Sequence, residues 1–251
     1  MPFVRRFAPF IAIFGALIAA FVLLPGPLAG NSYPSQSRLV DAVHRDFVGY
    51  WQAGGPTLPP PMREVVDYWF RYHVVKGLIA ALLLATLIVI GTRLRRSLTG
   101  AALVTAGTAV FLLGALATVT VMANIQGMVA PFGSLFPMLL ERPASPPLTA
   151  ALTQAGQQLA AGGDFPPALQ TMVDEFVRYH AAMAVLAAVL TIVLAVLAVR
   201  SWRRFAKRQQ RAVAPILWSL LTLAPIVLLI ANLTSVADPA PGLLGLVQGG
   251  W

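Results

Sequence analysis

The stretch from residue 66 to residue 96, VDYWFRYHVVKGLIAALLLATLIVIGTRLRR, decides how this chain is read. It opens on Val66-Asp67-Tyr68-Trp69-Phe70-Arg71-Tyr72-His73, a run of rings broken by one acid and one base. From Val74 to Thr92 it carries a single charge, Lys76, and it then closes on Arg93, Arg95 and Arg96. At about 1.5 Å per residue, the middle of this stretch crosses a hydrocarbon core of roughly 30 Å as one helix. A varied start, an apolar middle and a basic end describe a helix that enters a bilayer on one side and stops on the other.

The rest of the chain follows the same logic. Of its 251 residues, 58% are hydrophobic and only 11% are charged, against about 25% charged in a soluble domain. There is no cysteine, which excludes disulfides, thiolate metal sites and cysteine nucleophiles. The formal charge is +9, but its placement matters more than its sum. Eleven of the 18 Lys and Arg residues fall in three acid-free segments: Arg5 and Arg6; Arg93, Arg95 and Arg96; and Arg200, Arg203, Arg204, Lys207, Arg208 and Arg211. All nine acids and all three histidines lie elsewhere. That is the positive-inside pattern, so the basic segments are expected in the cytoplasm and the acids and histidines outside. The charge therefore marks topology, and no nucleic-acid partner is expected.

Walking outward from residues 66–96, the expectation is an all-α polytopic membrane protein of about five spans. The N-terminus is expected in the cytoplasm of a bacterial plasma membrane and the C-terminus outside. The first apolar run, Phe7 to about Ala29, follows Arg5-Arg6 and looks like a twin-arginine signal. It is longer than the 7–15 residues of a typical signal core, which favours a retained helix. Residues 36–51 place Leu39, Val40, Val43, Phe47 and Val48 at helical spacing and predict an amphipathic outer helix. A further helix is expected from about Met62, running straight into the span at Val74. From Ser97 to Leu140 none of 44 residues is charged. This predicts a span over about Ala101–Ala123, then an irregular apolar segment, 127–140, lying in the interface or re-entrant. Two more spans are expected, at about Ala181–Val199 and Val213–Val236, the second kinked at Pro225. Asp238 and an apolar tail ending at Trp251 finish the chain outside.

The opening stretch recurs. Val66-Asp67 and Arg71-Tyr72-His73 return as Val173-Asp174 and Arg178-Tyr179-His180, an offset of 107. Ala53-Gly54-Gly55 returns as Ala161-Gly162-Gly163, and Ala123-Asn124 with Pro131 returns as Ala231-Asn232 with Pro239, at 108. Three phrases in the same order and spacing indicate a tandem duplication. The expected organisation is an N-terminal helix (1–30) followed by repeat 1 (31–145) and repeat 2 (146–251). Both repeats enter the membrane from the same side, so a pseudo-two-fold four-helix bundle along the membrane normal is expected. Gly77, Ala80, Ala81, Gly107, Gly114, Ala184, Ala187 and Ala188 would let its helices approach closely.

The repeated polar residues are the candidate site. Asp67 and Arg71, like Asp174 and Arg178, are four apart and can pair on a helix. With Tyr72 and Tyr179 they read most simply as an interfacial belt. A sharper alternative has His73 and His180 as opposed ligands of a haem, with Arg71 and Arg178 neutralising its propionates, or as part of a metal site. His44 reads as solvated, Lys76 as a snorkelling side chain, and Asn124 and Asn232 as helix-to-helix hydrogen-bond groups or helix C-caps. Asn232-Leu233-Thr234 matches a glycosylation sequon. No phosphate loop, zinc-protease pair or nucleophile elbow is present, and no span carries an acid for a proton relay.

Four phrases carry a resemblance: Leu24-Pro25-Gly26-Pro27-Leu28-Ala29-Gly30-Asn31, Asp67-Tyr68-Trp69-Phe70-Arg71-Tyr72-His73, Met122-Ala123-Asn124, and the ending Gly249-Gly250-Trp251. In these the chain resembles multi-pass membrane proteins of high-GC Gram-positive bacteria that are often labelled twin-arginine signal proteins. The likeness implies topology and assigns no activity. The function expected from the sequence is a non-enzymatic envelope protein that binds a protein or lipid partner through its outer face. The haem or metal redox protein and a small transporter or channel are the alternatives.

Overall fold

The computed structural model describes residues 2–208 and 213–249, and no strand occurs among them. Arg211 and Trp251 lie outside the described residues, as do the side chains of Arg5, Arg6 and Arg208. In chain order the helices are α1 (Pro2–Leu23), α2 (Pro25–Leu28), α3 (Gln36–Ala53), α4 (Pro60–Ser97) and α5 (Gly100–Val129). A 3₁₀ segment, Gly133–Leu140, precedes α6 (Pro146–Ala161), α7 (Pro167–Arg208), α8 (Val213–Ala237) and α9 (Pro239–Val247).

Local chemistry sets these boundaries. Both α4 and α7 begin on a proline, Pro60 and Pro167, whose fixed φ and missing N–H suit a first helical turn. Each runs without a break from its wet start to its basic end, 38 residues in α4 and 42 in α7. The helices before them end on Ala53 and Ala161, where Gly54 and Gly162 both take φ +67. A positive φ favours glycine and stops a helix. At the N-terminus, Pro25 and Pro27 break the first apolar run, so α1 stops at Leu23 and one separate turn, α2, follows.

The fold divides into two compact units, Met1–Val43 with Pro60–Pro131, and His44–Pro59 with Phe132–Trp251. These divisions differ from a plain cut near residue 145, because residues 44–59 and 132–145 pack with the second unit.

In the first unit α4 and α5 form an antiparallel hairpin closed by Leu98-Thr99. Gly77 lies where a Cβ would be 3.2 Å from Met128 Cε and 3.4 Å from Asn124 Cβ, and Ala80 is fully buried. Of the small residues singled out by sequence, Gly107 and Gly114 instead face open space. Along α4 lies α1, running the opposite way. The Arg93 guanidinium sits 4.3 Å from the Phe10 ring centre, and Lys76 Nζ sits 4.7 Å from that of Phe21.

The second unit has its own hairpin, α7 and α8, with Ala184 and Ala187 buried at positions 107 beyond Gly77 and Ala80. Against the first half of α7 sits a cap whose core is Phe47, Tyr50, Leu135, Phe136, Leu139, Leu148, Leu169 and Met172, all under 2% exposed. The segment expected to be irregular is ordered. The α5 helix continues past Ala123 to Val129, and the 3₁₀ segment follows. Pro131, Gly133 and Pro137 preclude an α-helix there. The three-residue turn instead aligns Phe132, Leu135 and Met138 on one buried side.

Tyr50 donates from its hydroxyl to Ala168 O at 2.7 Å. Burial pushes its phenol up from 10.0 to about 12. A raised folded-state value means that the stability contributed by the neutral phenol is complete below pH 10 and is lost as the pH rises through 12. Tyr50→Phe is expected to lower stability at pH 8 by about 1 kcal/mol and to flatten the pH dependence between those limits, read by thermal melts in detergent.

The hairpins reverse the pattern of the cap. Val104, Leu116, Ile192 and Val227 are more than 60% exposed, as are many of their neighbours. Apolar surface on this scale is not sustained in water. Among the described residues four helices, α4, α5, α7 and α8, are long and apolar enough to cross a membrane, and the apolar part of α1, Phe7–Leu23, is shorter. The protein is an all-α polytopic membrane protein.

Candidate functional site

Each unit holds one histidine–asparagine pair at the end of its hairpin away from the basic run, Arg93, Arg95 and Arg96 in the first and Arg200, Arg203 and Arg204 in the second. In the first, His73 Nδ1 lies 3.0 Å from Asn124 Oδ1, and in the second His180 Nδ1 lies 2.9 Å from Asn232 Oδ1. Both asparagines are 6% exposed. Each spends its amide on its own helix, with Asn124 Nδ2 donating to Thr120 O at 2.7 Å and Asn232 Nδ2 to Leu228 O at 2.8 Å. The amide being used, Oδ1 can only accept, so each Nδ1 carries the hydrogen and donates it. In the neutral ring Nε2 is then the acceptor. His73 Nε2 is buried without a partner.

The two rings are seated differently. A Cβ built on Gly127 would fall 2.5, 2.6 and 2.7 Å from His73 Nε2, Cδ2 and Cε1. A point so nearly equidistant from three ring atoms lies over the ring face, so the imidazole rests flat on the α5 backbone. Trp69 meets His73 edge-on at 4.6 Å between ring centres. In the second unit Ser235 stands 108 residues beyond Gly127, and Phe176 lies 4.3 Å from His180 at a 55° tilt.

The charged residues do not pair as their spacing suggests. Arg71 Nε donates to Ala29 O at 2.9 Å, and Arg178 bonds Glu175, three residues back. Asp174 instead accepts from Gln170 Nε2 at 2.8 Å, and Asp67 is exposed. A backbone carbonyl and a buried carboxylate hold a guanidinium more firmly than an exposed i, i+4 partner does. Tyr72 lies stacked on Trp69, with Lys76 Nζ 5.2 Å from its ring centre. Tyr179 meets the His180 ring edge-on.

Glu175 is 9% exposed and accepts from Gly133 N at 3.4 Å, tying the 3₁₀ segment to α7. The repeat pattern does not single it out, because its counterpart in the first repeat is Tyr68. His44, expected in solvent, is half-buried and bonds Met138 O at 2.9 Å. Asn232, buried and bonded, is closed as a sequon. Among the described residues no group of three or more His, Asp or Glu side chains is placed to hold a metal ion.

No protein-family profile matches the chain, and no curated protein or solved structure is significantly similar to it. What bears on the site is its own geometry.

The pairs bridge the two helices of each hairpin. Double-mutant cycles on hydrogen bonds between membrane helices average about 0.6 kcal/mol, with a ceiling near 1.7. A cycle of His73→Phe and Asn124→Leu is expected to give a coupling in that range, and His180→Phe with Asn232→Leu a similar one. Measured by unfolding in detergent, a coupling of zero in both would show that the bonds do not join the helices.

Proposed function

We propose that this is a non-enzymatic envelope protein of a bacterial plasma membrane whose outer face binds a protein or lipid partner. In this reading the N-terminus is cytoplasmic, the C-terminus is outside, and the chain is related to the multi-pass proteins it resembles. The observation that carries it is the separation of chemistries along each hairpin. The membrane-crossing lengths expose aliphatic side chains, while the acids and histidines gather at the end away from the acid-free basic runs, Arg93, Arg95 and Arg96 in one hairpin and Arg200, Arg203 and Arg204 in the other. The equal φ of Gly54 and Gly162, the two initial prolines and the two His–Asn bonds support a tandem duplication. A photo-crosslinker at Phe70, 42% exposed, is expected to capture a partner in intact cells, whereas one at Trp202, near the arginines, is not. Equal labelling at both positions would remove the reading.

A redox reading, with haem or a metal on His73 and His180, is favoured by one observation. A donating Nδ1 leaves Nε2 as a lone-pair nitrogen, the arrangement found in metal-ligating imidazoles. An absorption spectrum with metal analysis decides it, since a colourless and metal-free preparation from haem-supplemented cells would remove it.

A further inference from the structure

One face of α7 changes character along its length. At about 100° per residue, Val185, Val189, Val193 and Val196 fall in a single sector of the helix, and all four are exposed. They cover about 16 Å along the axis, the depth of one leaflet of a hydrocarbon core roughly 30 Å thick. Arg200, Arg203, Arg204 and Lys207 continue the same sector toward the end of the helix and are exposed as well. The face is therefore aliphatic for one leaflet and basic beyond it.

The four cations are uncompensated. They stand three or four residues apart, the spacing at which like charges on a helix repel. Among the described residues none of them makes an ion pair or a hydrogen bond. No acid occurs from residue 176 to residue 237, so neither helix of this hairpin can neutralise them. Trp202 and Phe205 stand on the opposite side of α7, edge-on to each other at 5.7 Å between ring centres. Trp202 Nε1 donates to Ser219 Oγ on α8 at 3.2 Å, which turns the basic stripe away from α8. The first repeat lacks the full stripe. At an offset of 107, Arg93 and Arg96 match Arg200 and Arg203, but Ser97 and Gly100 replace Arg204 and Lys207. The basic run of α4 ends its span without them, so the added pair exceeds what marking a topology requires.

The two halves of the face together select the occupant. It must bring negative charge to the stripe and aliphatic surface to the valines. A free inorganic anion supplies only the first and an uncharged lipid only the second. Each Cα–Cβ bond of a helix leans toward the N-terminus, so Arg203, Arg204 and Lys207 reach back toward the valines, where a lipid phosphate stands. We propose that this face of α7 holds one anionic phospholipid, with its phosphate among the four cations and an acyl chain along the valines. The site lies at the opposite end of the hairpin from the proposed outer-face partner and does not depend on it.

The test uses the purified full chain in a non-ionic detergent, given equal amounts of dioleoyl phosphatidylglycerol and dioleoyl phosphatidylcholine. Native mass spectrometry reads the lipid retained. The wild type is expected to keep phosphatidylglycerol in preference by at least about tenfold, since each basic residue beside an anionic headgroup contributes about fivefold. Arg204→Gln is expected to lower that retention about fivefold. Arg95→Gln, at the basic end of α4, removes the same charge elsewhere and is expected to change it by less than about twofold. Both arginines are exposed, so neither substitution removes a packed side chain. Dihexanoyl phosphatidylglycerol has the same headgroup on short chains and is expected to be retained at least about tenfold less than the dioleoyl lipid. Equal retention of phosphatidylglycerol and phosphatidylcholine overturns the proposal, as does an Arg204→Gln effect no larger than that of Arg95→Gln. Equal retention of the short-chain lipid overturns it too, because the cations would then bind a headgroup without help from the valines.

Discussion

Truncating Phe136 to alanine is expected to destabilise the protein by about 3–5 kcal/mol, while the same treatment of Leu116 costs a small fraction of that. Phe136 is 1% exposed, in edge-on contact with Phe132 at 5.0 Å between ring centres. Removing its ring leaves a cavity among side chains that are themselves fixed, and the cost adds lost burial to lost contacts. Leu116 is 64% exposed, on the lipid-facing side of α5. Hydrocarbon is about as apolar as leucine, so lipid tails replace what is removed. The comparison, made by chemical unfolding in a single detergent, tests whether the cap is stabilised as a water-soluble core is and the hairpins are not. Equal losses at the two positions would mean that Leu116 is covered by protein and that its face is not a lipid surface.

Gly127→Ala is expected to cost about 1–3 kcal/mol, the range for overpacking a filled interior, although one methyl group is all that is added. The new Cβ would stand 2.5 Å from His73 Nε2, well inside contact distance. Relief requires either the ring or the α5 backbone to move, and the ring is held by Asn124 on one side and Trp69 on another. Ser235→Ala, at the corresponding place in the second unit, removes a hydroxyl that bonds Ala231 O, and is expected to change stability by less than about 0.5 kcal/mol. In spectra of ring-labelled histidine, Gly127→Ala should shift His73 and leave His180 in place. A shift of both together would show that the substitution unfolds the protein generally.

Much of the architecture is legible in the amino-acid sequence because a bilayer restricts what a chain can do. Unpaired backbone groups are excluded from hydrocarbon, so long apolar runs must be helices, and the arginines mark their ends. The amphipathic helix at 36–51 and the continuous passage of α4 into its span follow from side-chain spacing alone. The 3₁₀ segment does not, since its prolines and glycine argue against a helix and only burial on a three-residue period reveals one. The His–Asn pairs escape the sequence for another reason. Each partner stands out by itself, but what joins them is the packing register of two helices, which no local pattern encodes. The signal available is the separation itself, 51 residues in one repeat and 52 in the other. Comparing the repeats also hides Glu175, because its counterpart is Tyr68 and the comparison discards what the copies do not share.

The unbroken length of α4 has a mechanical consequence. At about 1.5 Å per residue its 38 residues form a rod of roughly 57 Å, nearly twice the hydrocarbon thickness, with no joint between Tyr68 and Arg93. A rod without a joint cannot absorb a displacement at one end. A force that moves the Tyr68 and Trp69 rings sideways must appear at the far end as tilt, with the surrounding lipid as the fulcrum.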